Sequence, residues 1–416
     1  MKPLDIAIAG CGVAGLAAGL ALARQGHKIQ IFDQFEAPRA LGSGLMLQPA
    51  GLDVLDWLGL GDGMRQLGAP IDRLFGRAIP SGRIVLDVRY AALANGRNGL
   101  AVHRSALFNV LFEAAKKLRL SIETGARITR LARAQNGRPL LITEEGRRFG
   151  PFDLVIDALG GRSPLMVEAS APARRRILSY GALWTTLPWG VAKAFDGRAL
   201  EQCYEKASVM IGVLPVGKRF AGDEPQTTFF WSLKAKDYPR WQAEGLAAWR
   251  TKVAGLWPET EPLLAEIRDP DQMVLASYGH HTLPLPYGPR IVFIGDSAHA
   301  TSPQLGQGAN MALLDVRGLA EALAGAGELN EALGHYARAR RLHIRLYQTL
   351  SAVFTPFYQS DSTLLPMLRD GLVAPMSRIP LVARGLARIV SGDLALGRNH
   401  ESFESLAKRG SSAVSG

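Results

Sequence analysis

The chain has 416 residues, a net charge of +11, and is 47% hydrophobic and 20% charged. These totals exclude a disordered chain and exceed the size at which one core stops growing, so two domains are expected. The basic balance favours anionic ligands. The densest clusters, Arg174-Arg175-Arg176 and Arg338 to Arg341, are too short for a nucleic-acid patch, so no nucleic-acid partner is expected. The two cysteines, Cys11 and Cys203, can build neither a disulfide framework nor a four-thiolate zinc site. No HExxH or clustered His/Cys spacing suggests a metal, and the cysteine usage fits a cytoplasmic location.

Ile6 to Ala23 carries no charge and could be taken for a signal peptide or a membrane span. Asp5 weakens the basic start that a signal needs. Gly10, Gly12, Gly15 and Gly19 would each weaken an apolar helix. The same residues read well as strand, turn and helix. Leu4 to Ala9 is an apolar strand, Gly10-Cys11-Gly12-Val13-Ala14-Gly15 is G-x-G-x-x-G, and Val13 to Gln25 is a helix. Lys28 to Phe32 is a second strand, ending at Asp33, eighteen residues past Gly15.

This is the layout of a Rossmann-type dinucleotide site. Gly10 permits the tight turn, Gly12 lets a pyrophosphate approach the backbone, and Gly15 lets helix and strand pack closely. The phosphates then meet free N–H groups at the start of the helix, beside Val13 and Ala14. Asp33 is placed to hold a ribose hydroxyl and argues against a 2′-phosphate there. NAD and FAD both remain open at this point, and no export signal is expected.

Ala37 to Gly51, with Gly42-Ser43-Gly44, reads as a loop, and Leu52 to Leu58 as a short helix. Strands are expected at Arg83 to Arg89, Ser121 to Glu123, Arg127 to Ala132, Leu140 to Thr143 and Phe152 to Asp157. Leu107, Val110, Leu111, Ala114 and Leu118 make Arg104 to Leu118 an amphipathic helix. From Ile177 to His281 the texture changes, and six of the seven tryptophans lie between Trp184 and Trp257. Strand-like runs at Ser179 to Thr186, Leu200 to Glu205, Ser208 to Leu214 and Thr227 to Leu233 imply an antiparallel sheet, with a helix at Tyr238 to Leu256. Arg290 to Ile294 is a buried strand, Ala309 to Ala324 a strong helix, and the chain from Asn330 onward is mostly helical, with a loose end after Ser411.

A second constellation follows the strand at Arg290. Gly295-Asp296-Ser297-Ala298-His299 leads to Pro303-Gln304-Leu305-Gly306-Gln307-Gly308-Ala309-Asn310 and straight into a helix. Glycine again frees the backbone at a helix N-terminus, and Asp296 lies at a strand end, where α/β ligands bind. The first site already holds one end of a nucleotide, so this one should hold the other.

With these motifs in this order, from about residue 4 to 350, the chain resembles the FAD-dependent aromatic hydroxylases, the single-component flavoprotein monooxygenases typified by para-hydroxybenzoate hydroxylase. The resemblance implies an α/β fold in which a Rossmann-type FAD-binding domain is interleaved with a mostly antiparallel-sheet substrate domain, followed by a helical C-terminal tail. The FAD-binding domain would comprise residues 1–75, 99–175 and 283–345, the substrate domain 76–98 and 176–282, and the tail 346–416. It further implies that Asp33 binds the adenosine ribose, Arg104 the phosphate or ribose region, and Asp296 the ribityl chain. The backbone from Gly306 to Asn310 would face the flavin pyrimidine ring, where the helix N-terminus stabilises negative charge by about 1–2 kcal/mol.

In the family, NADH or NADPH reduces FAD, O2 adds at flavin C4a, and the hydroperoxide oxygenates an electron-rich ring. No catalytic dyad is needed for this chemistry, and the sequence contains none. The family's Ala-Asp-Gly-x-x-Ser reads here Ala158-Leu159-Gly160-Gly161-Arg162-Ser163, with Asp157 two residues before Leu159. That departure keeps open a flavin oxidoreductase or FAD-binding protein of the same fold without oxygenation.

Tyr278, His280 and His281 are candidate pocket groups, although a histidine pair at a strand end is more often structural. Met210, Phe229, Phe230 and Trp231 should alternate between a pocket face and a core face. The substrate is read as a small aromatic or lipophilic molecule. Pro380 to Val390 is basic and amphipathic, which fits a cap over the flavin domain better than a weak membrane-surface contact. The sequence leaves the oligomeric state open.

Overall fold

The strand Asp5–Ala9, apolar after its first residue, lies inside a six-stranded sheet. In the computed structural model, which describes residues 1–37, 43–93, 96–376 and 379–396, the sheet order is Tyr287–Gly288, Ile291–Phe293, Leu154–Asp157, Asp5–Ala9, Lys28–Phe32 and Ser121–Glu123. The pairings are parallel except for the edge strand Tyr287–Gly288. Parallel strands need helical crossovers that cover both faces, which is why the central strands Leu154–Asp157, Ile291–Phe293 and Asp5–Ala9 after its first residue are mostly apolar and buried. The helices Val13–Arg24, Arg104–Lys117 and Gly308–Gly325 bury Leu16, Leu20, Leu107, Leu111, Leu313 and Leu319 in one core with Ile6, Ile8 and Ile31. Each such residue stabilises the fold by about 2 kcal/mol relative to exposure.

The second large sheet has eight strands: His299–Ala300, Val274–Thr282, Arg176–Pro188, Gln226–Lys234, Val209–Gly217, Ala199–Glu205, Arg73–Ile79 and Ile84–Arg89. Only Ala199–Glu205 with Arg73–Ile79 pairs in parallel. The four runs expected in the tryptophan-rich region are all present. The strands Arg73–Ile79, Gly99–His103 and Val274–Thr282 were not expected, because their polar and small residues hide any alternation.

Register divides the aromatic residues of this sheet. Leu183 pairs with Trp231 and Trp231 with Ile211, and these pack with Phe229, Trp241 and Trp249 on one face. Trp184, Met210 and Phe230 occupy the other face. The helix Tyr238–Leu256 has its expected limits but is broken at Gly245, whose φ is 74° and ψ 173°.

One segment departs from its reading as a loop. Gly44–Leu47 is a strand paired with Gly99–His103, and a helix begins at Pro49. Long-range contacts impose this strand: a Cβ on Gly44 would collide with Val216 and Thr228 of the neighbouring sheet. Gly42, the rest of 38–42 and the chain from 397 onward, including the end after Ser411, lie outside the described residues. After Gly325 the described chain forms the helices Leu329–Tyr358, Leu364–Leu368 and Pro380–Ser391, among shorter turns. No described helix is long and apolar enough to cross a membrane.

Candidate active site

Three turns at the ends of parallel strands converge. Gly10 has φ 108°, a conformation that favours glycine, and a Cβ there would collide with the Ala158 carbonyl oxygen. A Cβ on Gly15 would collide with the Gly10 carbonyl oxygen, so strand and helix meet there at backbone distance. Nothing lies within 4 Å of a Cβ built on Gly12, which is exposed at the head of the helix Val13–Arg24. Gly10 and Gly15 therefore satisfy the protein's own packing, whereas the space before Gly12 is open to a ligand. Val13 and Ala14, in the first turn of the helix, are half-buried.

Gly295, with φ 61°, links the second constellation to the first. A Cβ on it would lie 3.4 Å from the Ala14 Cβ. Asp33 shapes the first turn: its carboxylate accepts from the Cys11 N–H at 3.0 Å and from the Phe35 N–H at 2.9 Å. Each oxygen keeps a lone pair for a ribose hydroxyl.

The middle turn explains its departure from the family pattern. Asp157 is fully buried, accepts from the Leu159 N–H at 2.9 Å and from the Ser163 hydroxyl at 2.5 Å, and so braces the turn from within. Its carbonyl accepts from the Ser297 hydroxyl at 2.6 Å, tying this turn to the second constellation. Leu159 packs on the cluster containing Phe32, Val155 and Phe293. Burial pushes the Asp157 carboxyl up to about 7, against the pull of its two hydrogen bonds.

A cavity of about 800 Å³ opens beside the second constellation. Arg104, Asp296, Pro303, Gly306, Gln307, Gly308 and Ala309 line it, at the N-terminus of the helix Gly308–Gly325. Arg104 is exposed, and its N–H donates to the Ser43 carbonyl at 2.8 Å. Asp296 is exposed, with Oδ1 4.0 Å from a Cβ built on Gly308. Gly306 is left-handed with φ 60°, which turns the chain into the helix.

Asn310 and Gln307 serve the site through their side chains. Buried Asn310 accepts from the Gln48 N–H at 2.8 Å and donates to the Met46 and Gly306 carbonyls at 3.1 and 2.8 Å. It thereby clamps the strand Gly44–Leu47 to the turn. Gln307 donates to the Val390 carbonyl at 2.6 Å and so ties the helix Pro380–Ser391 to the same turn.

The far wall is aromatic and apolar. Trp184, Tyr204, Met210, Phe230, Tyr278, Phe354 and Tyr358 line it. The Tyr278 hydroxyl accepts from Trp184 Nε1 at 2.9 Å, and burial pushes it up to about 12. Of the four residues expected to alternate, Met210 and Phe230 face the cavity, and Phe229 and Trp231 face the opposite core. His280 and His281 are not among its lining residues, whereas buried His103 is. Burial, reinforced by Arg219 and Arg104, holds His103 down to about 4, so it is neutral at pH 7. Sequence reasoning missed Tyr204, Phe354 and Tyr358 because no motif surrounds them. It favoured a cap for the terminal helix over a membrane-surface contact, and Leu386, Ile389 and Val390 of that helix line the cavity.

A dinucleotide with a flavin ring suits these residues: an open glycine at one helix start, and a glycine-led helix start opening onto an apolar cavity at the other. The model of the FAD binding domain family matches residues 3–348. Aurachin C monooxygenase/isomerase from Stigmatella aurantiaca is 28% identical over 349 residues, covering 81% of this chain and 85% of that protein. The 6-hydroxynicotinate 3-monooxygenase of Pseudomonas fluorescens is 24% identical over 348 residues, covering 79% and 84%. In fold, the chain is similar to Klebsiella pneumoniae HpxO complexed with FAD and uric acid, with a TM-score of 0.77, 21% identity and coverage of 94% and 98%. Motifs, site and matches agree, and the chain belongs to the FAD binding domain family, among the FAD-dependent aromatic hydroxylases.

Proposed function

We propose that the chain is an FAD-dependent monooxygenase that hydroxylates a small aromatic or similarly electron-rich molecule, with NADH or NADPH as reductant and O2 as co-substrate. The observation that carries this reading is the cavity that joins the N-terminus of the helix Gly308–Gly325 to an aromatic wall. The similarity to monooxygenases of ring substrates supports it. FAD, when bound, supplies the redox and oxygen-activating chemistry.

The chain's own residues bind, orient and exclude water. The backbone at Gly12, Val13 and Ala14 takes the pyrophosphate, and Asp33 the adenosine ribose. Arg104 and Asp296 hold the middle of the cofactor. The N–H groups from Gly306 to Ala309 stabilise negative charge on the ring. The aromatic wall orients the acceptor and keeps water out. Residues 1–75, 99–175 and 283–345 form the FAD-binding unit, 76–98 and 176–282 the substrate unit, and 346–416 the C-terminal region. The two large sheets support that division in outline, with the strand Arg73–Ile79 straddling its first boundary and His299–Ala300, within 283–345, pairing with Val274–Thr282 of the eight-stranded sheet. Two buried free cysteines fit a cytoplasmic enzyme. Leu159 lends no weight to an FAD protein without oxygenation, since it fills a packing site and Asp157 supplies the carboxylate of the turn.

The test is to reconstitute the chain with FAD and follow NADH and NADPH oxidation across a panel of aromatics. A stimulated rate with a product about 16 Da heavier is expected, one oxygen atom having been added. A colourless protein that refuses FAD, or oxidation without any oxygenated product, ends the proposal.

A further inference from the structure

The cavity has two chemically different apolar walls besides the glycine-rich turn. One is aromatic: the ring centroids of Trp184 and Phe230 are 4.6 Å apart and those of Tyr204 and Tyr358 are 5.3 Å apart. The other is aliphatic. Leu74, Leu86, Val88, Leu214, Leu386 and Val390 belong to one apolar cluster, and all six line the cavity.

These six residues come from the strands Arg73–Ile79, Ile84–Arg89 and Val209–Gly217 and from the helix Pro380–Ser391. Asp87, a charged neighbour on this wall, is already held by Arg73 through hydrogen bonds of 2.6 and 2.8 Å. A bare aromatic acceptor is served by the aromatic wall alone. The aliphatic wall would then face water inside a concave site, which costs free energy in proportion to its apolar area. A wall of branched aliphatic side chains suits a flexible saturated chain, which has no ring face to stack.

We infer that the acceptor is an aromatic ring bearing an aliphatic chain, with the ring against Trp184 and Phe230 and the chain along the wall that the terminal helix completes. This rests on the monooxygenase reading and names its substrate class. The terminal helix takes part directly, because the Gln307 side chain ties Val390 to the cofactor-binding turn. Occupation of the aliphatic wall therefore bears on the same helix that braces the flavin end.

The test titrates the full-length, FAD-loaded protein with para-alkylphenols from methyl to heptyl, following the flavin absorbance change. Affinity should rise up to about fourfold per added methylene until the wall is filled. Leu86→Phe, which fills part of the wall from the sheet, should lower the heptyl-to-methyl affinity ratio at least about fivefold, the equivalent of more than one buried methylene. Ile389→Phe should do the same from the helix, so a folding defect in one variant does not decide the matter. A ratio near one in the native protein, or a ratio that survives both substitutions, overturns the inference. Efficient oxygenation of polar, chainless aromatics would overturn it while leaving the monooxygenase reading intact. Failure to take up FAD removes that reading itself.

Discussion

Gly12 and Gly15 look equivalent as letters in a motif, and the structure separates their duties. A methyl group at position 15 meets the Gly10 carbonyl, whereas one at position 12 meets nothing in the protein. Gly15→Ala should therefore lower the melting temperature of the cofactor-free chain. Gly12→Ala should melt like the native protein yet bind FAD at least about tenfold more weakly, a loss of one close phosphate contact. Calorimetry without FAD and titration with it check both halves, and equal effects in the two variants would refute the division. Asp157 carries a pH signature. Its buried carboxyl titrates at about 7 instead of the ordinary 3.8, so its contribution to stability is full below the lower value and is lost as pH rises through the upper one. Asparagine can accept from the Leu159 N–H through its oxygen and donate to the Ser163 hydroxyl through its NH2, so both contacts persist without the charge. Asp157→Asn should thus melt roughly 2–4 °C higher than the native chain at pH 8 and converge with it at pH 4. Parallel melting curves across that range would contradict the buried titration.

Among elements, the helix Gly308–Gly325 and the helix Pro380–Ser391 form one assembly at the cavity. The first presents its N-terminus to the end of the cavity proposed to take the flavin. The second buries Ala387 and Val390, offers Leu386 and Ile389 to the cavity, and is joined to the first by Gln307. Gln307→Ala removes the side-chain donor to the Val390 carbonyl and should destabilise the fold by about 1 kcal/mol. Its clearer effect should be looser closure: more dye binding to exposed apolar surface and more NAD(P)H oxidised without product. If coupling of oxidation to oxygenation is unchanged, the helix acts as a brace alone. The legibility of elements tracks the range of the forces that make them. Lys28–Phe32 and Tyr238–Leu256 were expected at their observed limits because their own side chains carry the period. Gly44–Leu47 was expected as a loop because its pairing comes from Gly99–His103 and from Asn310, far away in sequence.

At the scale of the molecule, the net charge of +11 favours the approach of a dianionic cofactor. FAD association should slow several-fold between low and physiological salt as the field is screened within about 8–10 Å. Dissociation should change little, because it is governed by close contacts. Stopped-flow mixing of the cofactor-free chain with FAD measures both rates, and a salt-insensitive association rate would mean that the excess charge does not steer. The sequence by itself determined the turns proposed to hold the cofactor. Glycine turns, a strand-end aspartate and helix starts are local devices, and their spacing is set by backbone geometry within a few residues. Only the tertiary structure decided what the cavity is made of. The register of the eight-stranded sheet turned Phe230 inward and Trp231 outward, and the terminal helix brought Leu386 and Val390 beside Leu86. Side chains in that wall meet through packing between segments separated by hundreds of residues, and such packing leaves no periodic mark on the sequence.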